Sequence, residues 1–221
     1  LQKIADKIDC EVFIEFADLA DPDSGVTFHV EPARSRIAPD RGHADLYRLS
    51  RDRNLIEFTP TLKVLDMPTG VRVQGRHRDP RRPERVTATA SGSVVADELH
   101  VGPDDGALSD GAAVRQHFFP GRENPLNLAN GTNLDSERGQ AQADAQLRKK
   151  LRECMTIDAT TIGLPRLRPG AHVEIRGMRP PFDGFFYITK TVHSIGPEGF
   201  RTKLTARRPG MPLPPYTESS S

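Results

Sequence analysis

The last third of the chain constrains the fold more than any other part, because its turn residues recur at strand-length intervals. Three turn clusters punctuate it: Pro165-Arg166-Leu167-Arg168-Pro169-Gly170, Pro180-Pro181-Phe182-Asp183-Gly184 and Gly196-Pro197-Glu198-Gly199. Gly and Pro supply the backbone angles that tight turns need, and Asp bonds its own backbone there. Between the turns, Val173 and Ile175 alternate with charged neighbours, and Phe185 to Ile195 reads as a long strand. Phe200, Thr202, Leu204 and Ala206 share one face of the next. Three strands joined this way make an antiparallel meander, of a length typical of a small barrel or sandwich.

The same punctuation runs through the rest of the chain, which has 19 prolines and 18 glycines in 221 residues. Thr156 to Ile162 is β-branched. Val71 and Val73 share a face, and Arg85 to Ala90 reads as their partner, so a hairpin is expected from about Gly70 to Ala90. Leu55 to Phe58 is a short apolar run that opens this region. Nearer the start, Glu11 to Phe16 and Val26 to Val30 alternate and face each other across Asp21-Pro22-Asp23-Ser24-Gly25. Leu1, Ile4, Ala5 and Ile8 follow helical spacing, so the chain reads as opening inside an element, as the C-terminal part of a longer protein.

Ser136 to Cys154 is the clearest helix. Asp135 or Ser136 can accept a hydrogen bond from a free backbone N–H at its start, and Arg148, Lys149, Lys150 and Arg152 suit the negative end of its dipole. Gly92 to Asp135 is broken by glycine and proline, and only a short helix near Ala112 to Phe118 is expected there. The fold class expected is α+β and mainly β: an antiparallel barrel with a small helix–hairpin unit and one longer helix. Residues 1–49 form the helix–hairpin unit, 50–209 the barrel with its inserted loop and helix, and 210–221 a disordered Pro- and Ser-rich tail.

Composition removes several functions. Thirty-one basic and 30 acidic residues nearly cancel, unlike the one-sided charge of a dedicated nucleic-acid or membrane-surface binder. No apolar run is long enough to cross a membrane as a helix. Cys10 and Cys154 are too few for a disulfide framework or a complete zinc site, and read as reduced, partly buried thiols.

Candidate chemistry is sparse. The seven histidines are His29, His43, His77, His100, His117, His172 and His193, and none forms a zinc-protease pattern with a second His and a Glu. His193 lies in the long strand, sharing a face with Thr189 and Thr191, and reads as a wall or interface residue. Asp21 with Asp23, and Asp104 with Asp105, sit in Pro/Gly turns where Asp is expected for capping. There is no nucleophile elbow, phosphate loop or dinucleotide fingerprint. The expected catalytic, cofactor and metal residues are therefore none. The run from Arg76 to Arg85 is densely basic but has no aromatic beside it on which bases could stack.

Order and spacing from Gln140 to Arg208 carry a resemblance. Gly163 and Pro165 follow the helix. Then come Leu167-Arg168-Pro169-Gly170, Val173-Glu174-Ile175-Arg176-Gly177, Phe182-Asp183-Gly184-Phe185-Phe186-Tyr187-Ile188, Val192-His193-Ser194-Ile195 and Gly199-Phe200-Arg201-Thr202. This succession resembles the C-terminal barrel of the phage late control protein D family. The hairpin around Val71 to Ala90 and the Leu-x-x-Ile-Ala opening resemble it too, while the family's first barrel is absent. The resemblance implies a non-enzymatic baseplate hub of a contractile tail, similar to hubs of extracellular injection systems and of type VI secretion spikes. It implies a homotrimer forming a pseudo-sixfold ring between the tail tube protein and the central spike protein, with baseplate wedge proteins as further neighbours. It implies a virion or injection particle assembled in the bacterial cytoplasm, without membrane insertion, with DNA or cargo only as a passenger in the channel. Two other readings compete: a nucleic-acid-binding module built on the basic hairpin 76–85, and a tail-associated cell-wall hydrolase.

Overall fold

A computed structural model describes residues 8–16, 25–32, 46–77, 84–91, 108–129 and 134–213, together with Ala5, Asp23, Asp79 and Arg81. Its centre is a six-stranded sheet built from β3 (Leu46–Ser50), β4 (Leu55–Leu62), β9 (Met155–Ile162), β10 (His172–Arg176), β11 (Gly184–Gly196) and β12 (Gly199–Arg208), in the order β3-β10-β11-β12-β9-β4. The meander expected from the turn residues is therefore present, its strands beginning and ending within one residue of the expected limits for β11 and β12. All pairings in this sheet are antiparallel except that of β3, which lies parallel to β10.

The sheet curls because its two edge strands are consecutive in the chain. Only Arg51 to Asn54 separate β3 from β4, and Asn54 N–H donates to the Ser50 carbonyl at 3.3 Å. The Asn54 side chain also binds the end of β3, accepting from Ser50 N–H and donating to the Arg48 carbonyl. Two sheet edges held together at one corner force the strands between them round an arc. The outcome is a half-barrel: α+β and mainly β as expected, with the edges meeting at this corner and no β3–β4 ladder among the described residues.

The inner face of the arc carries Met155, Ile157, Val173, Ile175, Phe186, Ile188, Leu204 and Ala206, all fully or nearly fully buried. Against it lies a second layer, a three-stranded sheet of β5 (Gly70–Arg76), β6 (Arg85–Ser91) and β8 (Pro125–Ala129) in the order β6-β5-β8. Helix α2 (Ser136–Leu151) packs on β5 and β6. Gly139, Ala143, Leu147 and Leu151 recur every four residues along its buried side. A Cβ on Gly139 would sit 3.2 Å from that of Ala88, so the small residues at the start of this stripe let helix and strand approach closely. Asp135 caps α2 by accepting from Arg138 N–H at 2.7 Å, and Asp110 caps α1 (Gly111–Phe118) by accepting from Ala112 and Ala113 N–H.

Three expectations need correction. The barrel unit was expected to begin at residue 50, yet Leu46 already pairs with His172. The glycine- and proline-broken stretch from 92 to 135 shows no strand pattern, yet Pro125–Ala129 runs parallel to Gly70–Gln74; residues 92–107 and 130–133 lie outside the described residues. The tail was expected to be disordered from 210, yet β13 (Gly210–Met211) pairs with β7 (Ser109–Asp110), and Met211 is buried. The opening helix at 1–9 lies mostly outside the described residues, as do residues 214–221. The first hairpin is present as β1 (Cys10–Phe16) and β2 (Val26–Pro32).

Candidate functional site

One extra residue decides which side chains of the long strand face outward. Register shifts between Ile188 and Lys190 in the β11–β12 pairing, a bulge at Thr189, whose hydroxyl donates to the Thr205 carbonyl. Before the bulge, Phe186 and Ile188 point inward; after it, Thr191 and His193 stand opposite the inward Leu204 and Thr202. The expectation that His193 shares a face with Thr189 thus fails at the bulge and holds for Thr191. Alternation alone does not reveal a bulge, so sequence reasoning could not place the outward set Lys190 and Val192.

The outward face is polar and its acids are held. Thr160 donates to Glu57 at 2.8 Å and Thr205 to Asp158 at 2.7 Å. Lys203 and Lys190 stand beside these pairs, and with Thr59 they line an open groove of about 330 Å³. Further along, Glu174 is buried between the Arg48 and Arg176 guanidinium groups. Burial alone would raise its pKa; the hydrogen bonds and charges of the two arginines outweigh that and hold it below its ordinary 4.5. Its ionised form is therefore favoured by folding. The stabilisation is complete above the ordinary value and is lost as the pH falls through the lowered native one. Glu174→Gln is expected to lower stability at pH 7 by about 2 kcal/mol, or about 6 °C in Tm. The gap should close in acid, as the native carboxyl protonates too; a gap unchanged in thermal melts down to pH about 3 would rule out the ionic origin.

The ribbon β1–β2 docks on this same face. Glu11 accepts from the Tyr187 hydroxyl and, at 2.8 Å, from Arg207. Just before β1, Asp9 accepts from buried Arg152 through both carboxylate oxygens and lies 3.6 Å from Arg148. Phe13 and His29 stack at 4.7 Å on the side facing the sheet. The other side carries the cross-strand pairs Val12–Val30 and Ile14–Phe28, together with Val26. Of these, Ile14, Val26, Phe28 and Val30 are each half or more exposed.

The histidines are dispersed and committed. His193 Nε2 donates to the Leu167 carbonyl at 3.2 Å, which leaves Nδ1 to accept from the Thr202 hydroxyl at 3.0 Å. His172 meets the Tyr187 ring edge-on, His29 stacks on Phe13, and His117 sits in α1 beside Phe118. His77 Nδ1 accepts from Asp79 N–H in the basic hairpin, whose Asp79 also caps Arg81 N–H. Asp21, Asp104, Asp105, His43 and His100 lie outside the described residues, and Asp23 is exposed. No group of three or more metal-ligating side chains occurs among the described residues.

The two thiols have different surroundings. Cys154 is fully buried, and burial pushes its pKa to about 12, with Asp110 adding to the rise and Arg208 opposing it. Cys10 is half-buried on β1. Iodoacetamide is expected to label Cys10 in the native protein and Cys154 only on unfolding, since the thiolate is the nucleophile. Mass spectrometry would show it; rapid native labelling of Cys154 would contradict the burial.

No family model matches the chain, and no curated protein does. Solved structures share its fold. The 43 kDa tail protein of prophage MuSo2 from Shewanella oneidensis superposes over 90% of this chain with a TM-score of 0.57 at 12% identity. The tail protein from Neisseria meningitidis MC58 does so over 93%, again at 0.57, with 13% identity. The chain spans about half the length of both, 51% and 52% respectively. At this identity the likeness is one of fold: the half-barrel and its companion sheet occur in tail proteins.

Proposed function

We propose that the chain is a structural component of a phage tail or phage-like injection particle, and specifically part of a baseplate hub whose copies form a trimeric ring between tube and spike. The observation that carries the reading is the fold likeness to two tail proteins over nine-tenths of the chain. The surface chemistry agrees with it. Carboxylates are held by threonine hydroxyls or arginines, and the described histidines are spent on backbone, threonine and ring contacts. Such a surface suits permanent contact and lacks a poised acid and base. In this reading the protein does no covalent chemistry, and its neighbours are further copies of itself, a tube protein and a spike protein.

Native mass spectrometry and negative-stain imaging of the full-length protein are expected to show a threefold ring. A full-length protein that stays monomeric at about 100 μM, or forms only twofold dimers, would remove the hub reading. Peptidoglycan turnover by the purified protein would favour the hydrolase instead. Salt-sensitive DNA binding lost when Arg81, Arg82 and Arg85 become Glu would favour the nucleic-acid module.

A further inference from the structure

A strand edge with free main-chain groups is a template for any extended chain, so sheets ordinarily close their edges. The six-stranded sheet closes two of its own. On β3 the Asn54 side chain accepts from Ser50 N–H and donates to the Arg48 carbonyl. On β4, Lys63 N–H donates to the Cys154 carbonyl, so Lys63 and Thr61 turn their main-chain groups to β9. Pro60 then faces the open side, where it has no N–H to offer. The third edge is the distal half of β11. There β10 pairs only as far as Tyr187, and Ile188 still bonds to Gly170 and Ala171. Past the bulge at Thr189, β11 has a strand on one side alone among the described residues, β12. Gly163 N–H donates to the Phe200 carbonyl, so Phe200 and Thr202 face β9 while Arg201 and Lys203 bond to Ser194 and Val192. The main-chain groups of Thr191, His193 and Ile195 therefore point to the open side, along roughly 13 Å of strand. No hydrogen bond reaches them among the described residues.

We propose that this bare edge receives an extended segment of another protein, which adds to the sheet as a further strand and carries apolar residues alternating with acidic ones. Main-chain pairing supplies the attraction, and the side chains on the two faces of the edge supply the choice. On one face the segment lies beside Thr191 and Ile195, the latter 87% exposed, so apolar side chains belong there. On the other it lies beside Lys190 and Val192, with Lys203 one strand further in. Neither lysine enters an ion pair among the described residues. The nearby carboxylates are engaged: Asp158 by the Thr205 hydroxyl, Glu57 by that of Thr160, and Glu198 by Arg201. The unmatched positive charge selects an acidic segment. A second copy fits less well, because its β3 and β4 edges are closed and its β11 would bring lysines to lysines. The contact stands on the strand edge alone and is independent of how many copies form a ring.

The test is an NMR titration of the isotope-labelled 221-residue chain with a short acetylated peptide of alternating valine and glutamate. The amides of Thr191, His193 and Ile195 are expected to shift and to exchange more slowly with solvent. Those of Val192 and Ser194, already bonded to β12, should keep their exchange rates. In this register the valines meet β11 through their main-chain groups and the glutamates do not. Methylating the valine nitrogens of the peptide is therefore expected to weaken binding at least tenfold, and methylating the glutamate nitrogens to leave it; neither change touches the folding of the chain. A peptide with lysine in place of glutamate is expected to bind at least tenfold more weakly, a difference that closes at about 1 M salt. Ile195→Pro removes one open N–H, as Pro60 does in β4, and is expected to abolish binding with circular dichroism unchanged. No response of the three amides at about 2 mM peptide would overturn the proposal, as would equal loss on methylating either set of nitrogens. Equal binding of the lysine peptide would overturn the acidic partner. Concentration-dependent changes at the same three amides without peptide would give the edge to a second copy instead.

Discussion

Replacing Arg208 with Met is expected to cost about 4 kcal/mol and to lower Tm by about 10 °C, the largest single effect in the molecule. Arg208 is only 1% exposed at the end of β12. Its Nε donates to the Gly210 carbonyl at 2.9 Å, Nη1 to Asp183 at 2.9 Å and Nη2 to Pro181 at 2.6 Å. The guanidinium also lies 4.7 Å from the centre of the Phe186 ring and 3.3 Å from Met155 Sδ. One flat cation therefore closes three backbone acceptors from two different segments and stacks on an inner-face aromatic. Met would fill most of the volume but leave those carbonyls without their donors, each costing about 1–3 kcal/mol when buried. Lys should recover little, because a compact ammonium cannot present the fork that reaches all three. Hydrogen exchange adds a local readout. Loss of Arg208 should free the amides of Gly210 and Met211, whose strand is held beside Ser109–Asp110. A Tm within 2 °C of wild type would mean the cation is dispensable.

Arg208 also shows where the sequence could be read and where it could not. Elements whose partners are neighbours in the chain were legible: the turns at Pro180 and Gly196 predict β10, β11 and β12, and Gly70 to Ala90 reads as the hairpin it forms. Elements whose partners are distant were not. Leu46–Ser50 and Pro125–Ala129 each lie parallel to a strand far away in sequence. A parallel partner leaves no turn signature, and five residues are too few for alternation to stand out. The tail misled for the same reason. Proline beyond Arg208 reads as the end of order, yet Gly210 lends its carbonyl to a buried guanidinium, a contact no local pattern encodes.

The candidate surfaces divide along the same line. The alternation of Val26, Phe28 and Val30 was plain, and so was that of Val12, Ile14 and Phe16. What alternation omits is which face the body covers, and here the glutamate side is the one tied down, through Glu11 to Tyr187 and Arg207. A two-stranded ribbon with an open apolar side is marginal by itself, so its charged side holds it in place while the apolar side stays available. The far end of the β11–β12 hairpin is held in its turn by the segment that carries Gly163.

Gly163→Ala is expected to cost about 3 kcal/mol, because no side chain fits between that backbone and Phe200. A Cβ there would lie 2.1 Å from Phe200 Cδ1 and 2.3 Å from Cγ, and Gly163 N–H donates to the Phe200 carbonyl at 2.8 Å. The ring must leave, and with it goes the packing that steadies the hairpin end. His193 lies 5.9 Å from the Phe200 ring and ties β11 to the Leu167 carbonyl, while Thr202 accepts from Leu164 N–H at 3.0 Å. Overpacking of this kind costs about 1–3 kcal/mol, and the closeness of the ring atoms to the added Cβ places this case at the upper end. A double-mutant cycle isolates the cause. Phe200→Ala alone should cost about 2 kcal/mol, and with the ring gone Gly163→Ala should add less than about 1 kcal/mol more. Chemical denaturation of the four proteins gives the coupling. If the two costs simply add, the glycine answers to something other than the ring, and the hairpin end is held without it.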